Sequence, residues 1–422
     1  MTRQRRKKGL MRSSASIRAT VALALVFACA ANASAAPSYK VLHAFTSGDD
    51  GSAPFAGVTF DTQGNLYGTT WGGGGKNVLG TVFKLTPTSG GRWSERVLHR
   101  FSDPGGGGGP FGGVVFDTEG SVYGTTRSGG ANGVGTVFKM TRGADGWAFN
   151  VLDNYGSNAG LILDKAGNLY GPIGHGKYGG GTVTEMVRGS DGWAEKVLYN
   201  FCAQLHCDDG DLPYAGLTWD AAGNLYGTTE YGGKGSPQWG TAFELRHNPD
   251  GTWQHILLHS FPSFPGDGEV VYAGLVFDTS GNLYGATNSG GGHLCGQTLT
   301  CGTVFELSLN PNGRWKETIL CRFPNPSDGF SPGASLVFDK TGNLYGTTAL
   351  GGKNACSNGC GVVFKLTPNS NGTWKYSVLH RFTGSDGANP AAALILDQKG
   401  NLYGTTTLGG AGGYGVVFEI TP

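Results

Sequence analysis

Short apolar runs of five to nine residues, broken by Gly- and Asp-rich turns, carry this chain, and no stretch beyond the first 35 residues keeps a helical apolar period. Residues 334–382 show the unit. Ala334-Ser335-Leu336-Val337-Phe338 is an apolar run that stops at Asp339-Lys340-Thr341-Gly342. There an Asp can bond its own backbone and a Gly can take positive φ, so the segment reads as a turn. Asn343-Leu344-Tyr345-Gly346-Thr347-Thr348 follows as a second strand, rich in aromatic and β-branched residues. A Gly-rich loop leads to Gly361-Val362-Val363-Phe364-Lys365-Leu366, a third strand, and the turn Pro368–Gly372 leads to a fourth over Trp374–Phe382. The pattern predicts an all-β chain built from four-stranded units.

The unit recurs seven times. The motif D-x-x-G-N-L-Y-G, with substitutions, places its Tyr at Tyr67, Tyr123, Tyr170, Tyr226, Tyr284, Tyr345 and Tyr403, at intervals of 56, 47, 56, 58, 61 and 58 residues. Units of that size cannot bury their apolar faces alone and must lean on neighbours. Four antiparallel strands per unit fit a β-propeller blade, whereas the rungs of a β-helix are far shorter. The last unit stops after Gly415–Ile420, its third strand, and Tyr39-Lys40-Val41-Leu42-His43-Ala44-Phe45 matches the fourth strand that it lacks. A seven-bladed β-propeller is expected, closed by the N-terminal strand, because a ring needs that offset to hide its edges and an open solenoid gains nothing from it.

The first 35 residues read differently. Seven basic residues from Arg3 to Arg18, the apolar Val21–Ala28 and the small-x-small Ala33-Ser34-Ala35 form a signal peptide with cleavage after Ala35. Lipidation at Cys29 is the alternative, opposed by the bulky Phe27. Residues 36–422 are then one secreted propeller domain, extracellular or periplasmic, with no integral membrane segment and a monomeric state expected. Removing the leader takes 7 of 31 basic residues and no acidic one, leaving 24 against 30, a net charge of −6. That charge, without a basic stripe, excludes nucleic acid as a partner class.

Gly makes up 77 of 422 residues, mostly in turns, with no phosphate-loop Lys-Ser/Thr pair following a Gly-rich stretch. Cys202 and Cys207, Cys295 and Cys301, and Cys356 and Cys360 form close pairs, read as local disulfides of a secreted chain. Zinc is disfavoured by their unequal spacings and the lack of a His pair. Cys321 is left as a buried free thiol. It stands where His43, His99, His259 and His380 stand in other fourth strands.

The motif Tyr residues and the Trp that open six fourth strands are expected to pack between blades. The recurrent fourth-strand His is read the same way, since Asp153, Tyr199 and Cys321 replace it. The candidate chemistry lies in the lead-in loop before each first strand, where Asp-Gly recurs at Asp50, Asp209, Asp267, Asp328 and Asp386, several continuing to Pro and an aromatic as in Pro54-Phe55 and Pro213-Tyr214. In a propeller these loops share a face with the Gly-rich loops between strands two and three. They are expected to set carboxylates beside Trp71, Tyr178, Tyr231 and Trp239, suited to a cation such as Ca²⁺ or to a polyhydroxylated ligand. The alternative is that each Asp-Gly is only a turn. Blade three departs from the frame: its lead-in loop shortens to Tyr155–Ala159, Thr-Thr becomes Pro172-Ile173, and His175, Lys177 and Tyr178 sit in its Gly-rich loop.

The units A-G-L-x-F-D-x-x-G-N-L-Y-G-T-T and G-T-V-F-K/E-L-T-P resemble the GloVer-type tandem repeat of bacterial choice-of-anchor proteins, and more distantly the NHL and streptogramin-lyase propellers. The resemblance implies export and a repeat scaffold, and brings no activity and no catalytic residues. Three functions compete: a binding or scaffold module for a glycan, cell-envelope polymer or protein; a lyase or hydrolase with a base such as His175, His206 or His293; and a purely structural surface protein. Binding ranks first.

Overall fold

The computed structural model describes residues 36–422 apart from residues 103, 175, 191, 236–237, 263–265, 296–299, 324 and 354–355. The leader, its alternative lipidation at Cys29, and His175 lie outside the described residues. Seven four-stranded antiparallel sheets form the blades of a β-propeller. In blade six the strands are Val337–Phe338, Leu344–Thr348, Val362–Pro368 and Trp374–Arg381. Blade seven takes Ile395–Leu396, Leu402–Thr406 and Val416–Thr421 from the C-terminal end and Ser38–Ala44 from the other, with Val41 opposite Phe418. The ring closes as the offset requires.

The first strand of each blade is shorter than its apolar run. Only two residues pair with strand two, and a carbonyl just before them accepts from the preceding blade at several joints. The Thr-Thr that ends most second strands explains this. Its first Thr donates its hydroxyl to a lead-in carbonyl of the next blade: Thr69 to Gly112 (3.1 Å), Thr125 to Ala159 (3.0 Å), Thr228 to Ala273 (2.9 Å), and across the seam Thr405 to Ala56 (2.9 Å). Its second Thr turns inward to the Thr opening strand three, as Thr70 does to Thr81 at 2.8 Å. A second stitch runs through the backbone. Ala53, Gly109, Leu212, Val270, Ser331 and Asn389 all take left-handed φ of 52–59°. In that conformation each N–H reaches the preceding blade, as Val270 does to Trp239 O (3.0 Å) and Leu212 to Gly180 O (3.0 Å). A β-branched residue such as Val270 is strained there, and six-fold recurrence shows that the blade joint over-determines it.

The repeated motif is architecture. Asp61 Oδ1 accepts from the Gln63 and Asn65 backbone N–H groups, and its Oδ2 from Asn65 Nδ2 at 2.7 Å. The motif Tyr hydroxyl folds back to the same carboxylate, at 2.9 Å for Tyr123 on Asp117. Its ring meets the next blade edge-on: Tyr67 on Phe116 (4.9 Å), Tyr170 on Trp219 (4.8 Å), Tyr403 on Phe60 (5.1 Å). The Gly after it is obligatory, because a Cβ on Gly68 would lie 2.6 Å from the Phe83 ring. The cores therefore lie between blades; Leu42, Phe45, Tyr403 and Val417 of blade seven pack with Leu66, Phe83 and Leu85 of blade one.

Candidate functional site

Cys202–Cys207, Cys295–Cys301 and Cys356–Cys360 are disulfides, and Cys321 is a half-buried free thiol. Burial pushes the Cys321 thiol up to about 12, so it stays protonated and unreactive at neutral pH. Among the described residues no helix is long and apolar enough to cross a membrane.

The lead-in loops and the loops between strands two and three share a face and pair with each other, as at Ser52 with Gly72, Asp211 with Tyr231 and Ala388 with Leu408. The Asp-Gly carboxylates on that face are taken up at their own blade junctions. Asp50 accepts from Thr46 N (3.1 Å) and Thr46 Oγ1 (2.7 Å) and faces His43 Nε2 (3.2 Å). Asp386 repeats this with Thr383 and His380 (3.0 Å). Asp209, fully buried, accepts from Tyr199 OH (2.7 Å), Ala203 N and Gln204 N. Asp328 pairs with Arg381 Nη2 (3.0 Å) and Asn325 Nδ2 (2.8 Å). Asp267 accepts from its neighbour Gly268 N (2.6 Å). None of the five lines the channel mouth. The reason is steric: the Gly of each pair passes over the second Thr of the blade, where a Cβ on Gly51 would fall 2.2 Å from Thr70 Oγ1, and this turns the preceding Asp outward to the fourth strand.

The mouth itself is a cavity of about 530 Å³ to which every blade contributes. The residue immediately before the small pair that leads into each first strand is repeated around it. Phe55, Phe111, Tyr214 and Tyr272 occupy that place in blades one, two, four and five; Asn158 stands in blade three, and Gly333 and Ala391 lie opposite. Phe55 and Phe111 stack at 4.7 Å, and Trp71 meets Phe55 edge-on at 6.2 Å. Tyr214 and Tyr272 are 37% and 38% exposed, large values for aromatic rings in a cavity. One side of the mouth is thus a crescent of rings and the other is bare.

The position four residues after the motif Tyr supplies the polar groups: Arg127 and Glu230 are the two charged side chains of the lining, and Asn288 follows in blade five. Glu230 is buried and accepts from Tyr272 OH at 2.9 Å. Burial, then this bond, pushes the Tyr272 phenol well above its usual value. Tyr214 is raised by burial and by the Glu230 charge, with Arg127 opposing. Tyr231 bonds the same carboxylate, which raises it too, and its ring lies 6.3 Å from that of Trp239. Trp239 Nε1 is buried with no partner among the described residues. Glu230 therefore gathers Tyr231, and Trp239 beside it, from the expected set, while Trp71 joins the crescent. Tyr178 stays apart, 50% exposed, with Lys177 Nζ 5.2 Å from its ring centre. His206 and His293 are exposed and do not line the mouth.

Blade three opens the wall. A hollow of about 280 Å³ adjoins the mouth there, shares Arg127, Asn158 and Tyr214 with it, and is lined by Gly156, Pro172 and Gly174. The short lead-in loop and the missing Thr-Thr leave this space. Arg127, Glu230 and Tyr272 escaped the sequence reading because they sit at positions that vary from unit to unit, and that variation inside a repeated frame was the available signal.

Two solved structures are similar to this chain at low identity. A 6-phosphogluconolactonase candidate from Bacteroides uniformis matches at 13% identity over 80% of this chain and 86% of its own, with a TM-score of 0.49. An ancestral GH74 enzyme matches at 11% identity and a TM-score of 0.52, over 86% of this chain and 51% of its own, so this chain spans about half the length of that enzyme. At 11% identity the likeness to the GH74 enzyme is one of fold alone. No curated protein matches in sequence. The profile of the Gloeobacter/Verrucomicrobia repeat, however, matches residues 6–236, 147–356 and 293–422, nearly the whole length, and the chain belongs to that repeat family.

Proposed function

We propose that this propeller is a secreted binding module that takes a sugar ring of a polysaccharide at the channel mouth. The observation that carries it is the one-sided mouth: Phe55, Phe111, Tyr214 and Tyr272 on one arc, Arg127 and Glu230 among them, and Gly333 and Ala391 across from them. Aromatic faces stack on the C–H faces of a pyranose, a carboxylate accepts hydroxyl hydrogen bonds, and a guanidinium donates them. The groove at blade three gives a neighbouring residue of the polymer a way out. The three disulfides support export, since such bonds persist in oxidising compartments.

Binding is favoured over cleavage. Glycoside hydrolysis ordinarily takes two carboxyl groups about 5–9.5 Å apart across the bond. The lining has one, Glu230. Calcium dependence is not expected either, because the Asp-Gly carboxylates are engaged at separate junctions and a Ca²⁺ site needs about 6–8 converging oxygens.

The test is binding of the purified chain from Ala36 to Pro422 to a polysaccharide array, in Ca²⁺ and in EDTA, with released reducing ends measured in parallel. Retention of one polymer class in both buffers, lost in Tyr214→Ala/Tyr272→Ala, supports the proposal. Binding only in Ca²⁺ shifts the site to the Asp-Gly loops. Released sugar makes the protein a hydrolase, and silence throughout removes the glycan reading.

A further inference from the structure

The seven blade junctions carry the same three positions at the outer rim: the fourth-strand residue of one blade, the lead-in residue of the next (Asp of Asp-Gly at five of them), and the fourth-strand residue two after the Trp position of that next blade. An aromatic ring usually covers the first of these. Tyr39 stacks on His380 at 3.9 Å and 6°, Phe149 on His99 at 4.0 Å and 3°, and His255 on Tyr199 at 4.6 Å and 17°. Between blades four and five the cover is instead Glu317, and it faces His259 and Asp267.

Among the described residues, two polar atoms of this junction lack a hydrogen-bond partner. His259 Nε2 lies 3.6 Å from Glu317 Oε2 and 3.9 Å from Asp267 Oδ2, beyond hydrogen-bond reach. His259 Nε2 and Glu317 Oε1 are both buried with no hydrogen-bond partner among the described residues. One ligand atom from each of the three residues falls within 4.8 Å of the others. Two ligands that bind one tetrahedral ion at about 2.0–2.2 Å stand about 3.4 Å apart, close to these separations.

The junction of blades seven and one shows what would have satisfied the His and the Asp, although Glu95 Oε1 is buried without a partner there too. His43, Asp50 and Glu95 stand there, yet His43 Nε2 reaches Asp50 at 3.2 Å, and Asp50 is held by Thr46 N and Oγ1. The counterpart of Thr46, one residue after the buried Phe, is Pro262, which has neither an N–H nor a hydroxyl. Asp267 therefore finds no such donors at that position, and its Oδ2 faces His259 Nε2 at 3.9 Å. We infer that His259, Asp267 and Glu317 bind a divalent first-row metal ion of the Zn²⁺ type, which clips blade four to blade five.

The ligand set suits such an ion: one imidazole and two carboxylates, with the 2+ charge cancelling the two buried negative charges. Arg322, the cation whose charge reaches Glu317, is already engaged, its Nε bonding Gly266 O at 3.1 Å. Side-chain exposures of 22% for His259, 16% for Asp267 and 13% for Glu317 leave a way in.

The experiment uses the full chain, oxidised, stripped with EDTA and dialysed against Zn²⁺, with bound metal counted by mass spectrometry and the thermal midpoint followed. The expected result is one tightly held equivalent and a midpoint several degrees higher with the ion. Glu317→Tyr copies the cover of blade six and is expected to fold while losing the equivalent; His259→Gln serves if it does not. Glu95→Gln, at the sister junction, is expected to keep it. X-ray absorption should report nitrogen and oxygen ligands without sulfur. No retained metal, an equivalent that survives both Glu317→Tyr and His259→Gln, or a sulfur-ligated ion overturns the inference; in the first case the three residues share a proton instead.

Discussion

Tyr272 of blade five donates its hydroxyl to the buried Glu230 carboxylate of blade four at 2.9 Å, so one wall of the channel mouth is locked by a bond that crosses a blade boundary. The bond joins recognition to structure. Tyr272→Phe is expected to remove one partner of a buried carboxylate and to cost about 1–3 kcal/mol of stability. Glu230→Gln keeps the shape and an acceptor, and is expected to hold stability to within about 1 kcal/mol while weakening retention on the polysaccharide ten-fold or more. Urea unfolding and affinity electrophoresis separate the two effects. Equal retention with Gln and with Glu at this position would remove Glu230 from recognition.

Ring closure gives a second prediction. Phe45 is fully buried and meets Phe83 of blade one at 5.2 Å. Phe45→Ala is expected to cost about 3–5 kcal/mol, as large core truncations do. Because the cavity opens at the seam, native-state hydrogen exchange should quicken first in Val416–Thr421, whose partner is the Ser38–Ala44 strand. Exchange that rises evenly over all blades would show that the seam is no weaker than the other junctions.

Acid sensitivity follows from the buried imidazoles. Burial holds His99 and His255 at about 4, below the ordinary value of 6.5. The unfolded chain then binds more protons between those values, so these residues make stability fall as pH drops from about 6.5 to about 4, with the full cost present below. Glu95, raised by burial to about 7, acts in the other sense: it favours the fold below about 4.5 and costs stability as pH rises through 7. The His effect is isolated by His255→Phe, expected to flatten the fall between pH 6.5 and 4 by on the order of 2 kcal/mol. Thermal midpoints at half-unit pH steps check it, and an unchanged slope would show that His255 is not titrating in the fold.

The disulfides should matter modestly. Cys356 and Cys360 close a loop of sequence separation 4, so replacing both by Ser is expected to cost about 2 kcal/mol in the chain-entropy account, without loss of the fold. Chemical denaturation of the double variant measures this. A loss above about 5 kcal/mol would mean that the loop is a folding determinant and not only a restraint.

Much of the molecule was legible in its sequence, for a physical reason. Asp61, Asn65 and Tyr67 bond to one another within a few residues, and strand periodicity and turn chemistry are equally local, so a seven-fold repeat of them announces seven blades. The unpaired strand at Tyr39–Phe45 announced the closure. The cysteine pairs were legible too, being neighbours in sequence. What only the tertiary structure decided is which side chains converge. The Asp-Gly carboxylates look like a ring in one dimension, but each is turned aside by the Thr that its Gly must cross, as Gly51 crosses Thr70. Arg127, Glu230 and Tyr272 look like noise at variable positions, yet the ring brings residues from three blades to one mouth. His259 and Glu317 are 58 residues apart, in a pattern that packs rings at most other junctions; only the fold shows that Glu317 and Asp267 both approach His259. Local bonds fix the blade, and contacts between blades, which no short window of sequence contains, fix the site.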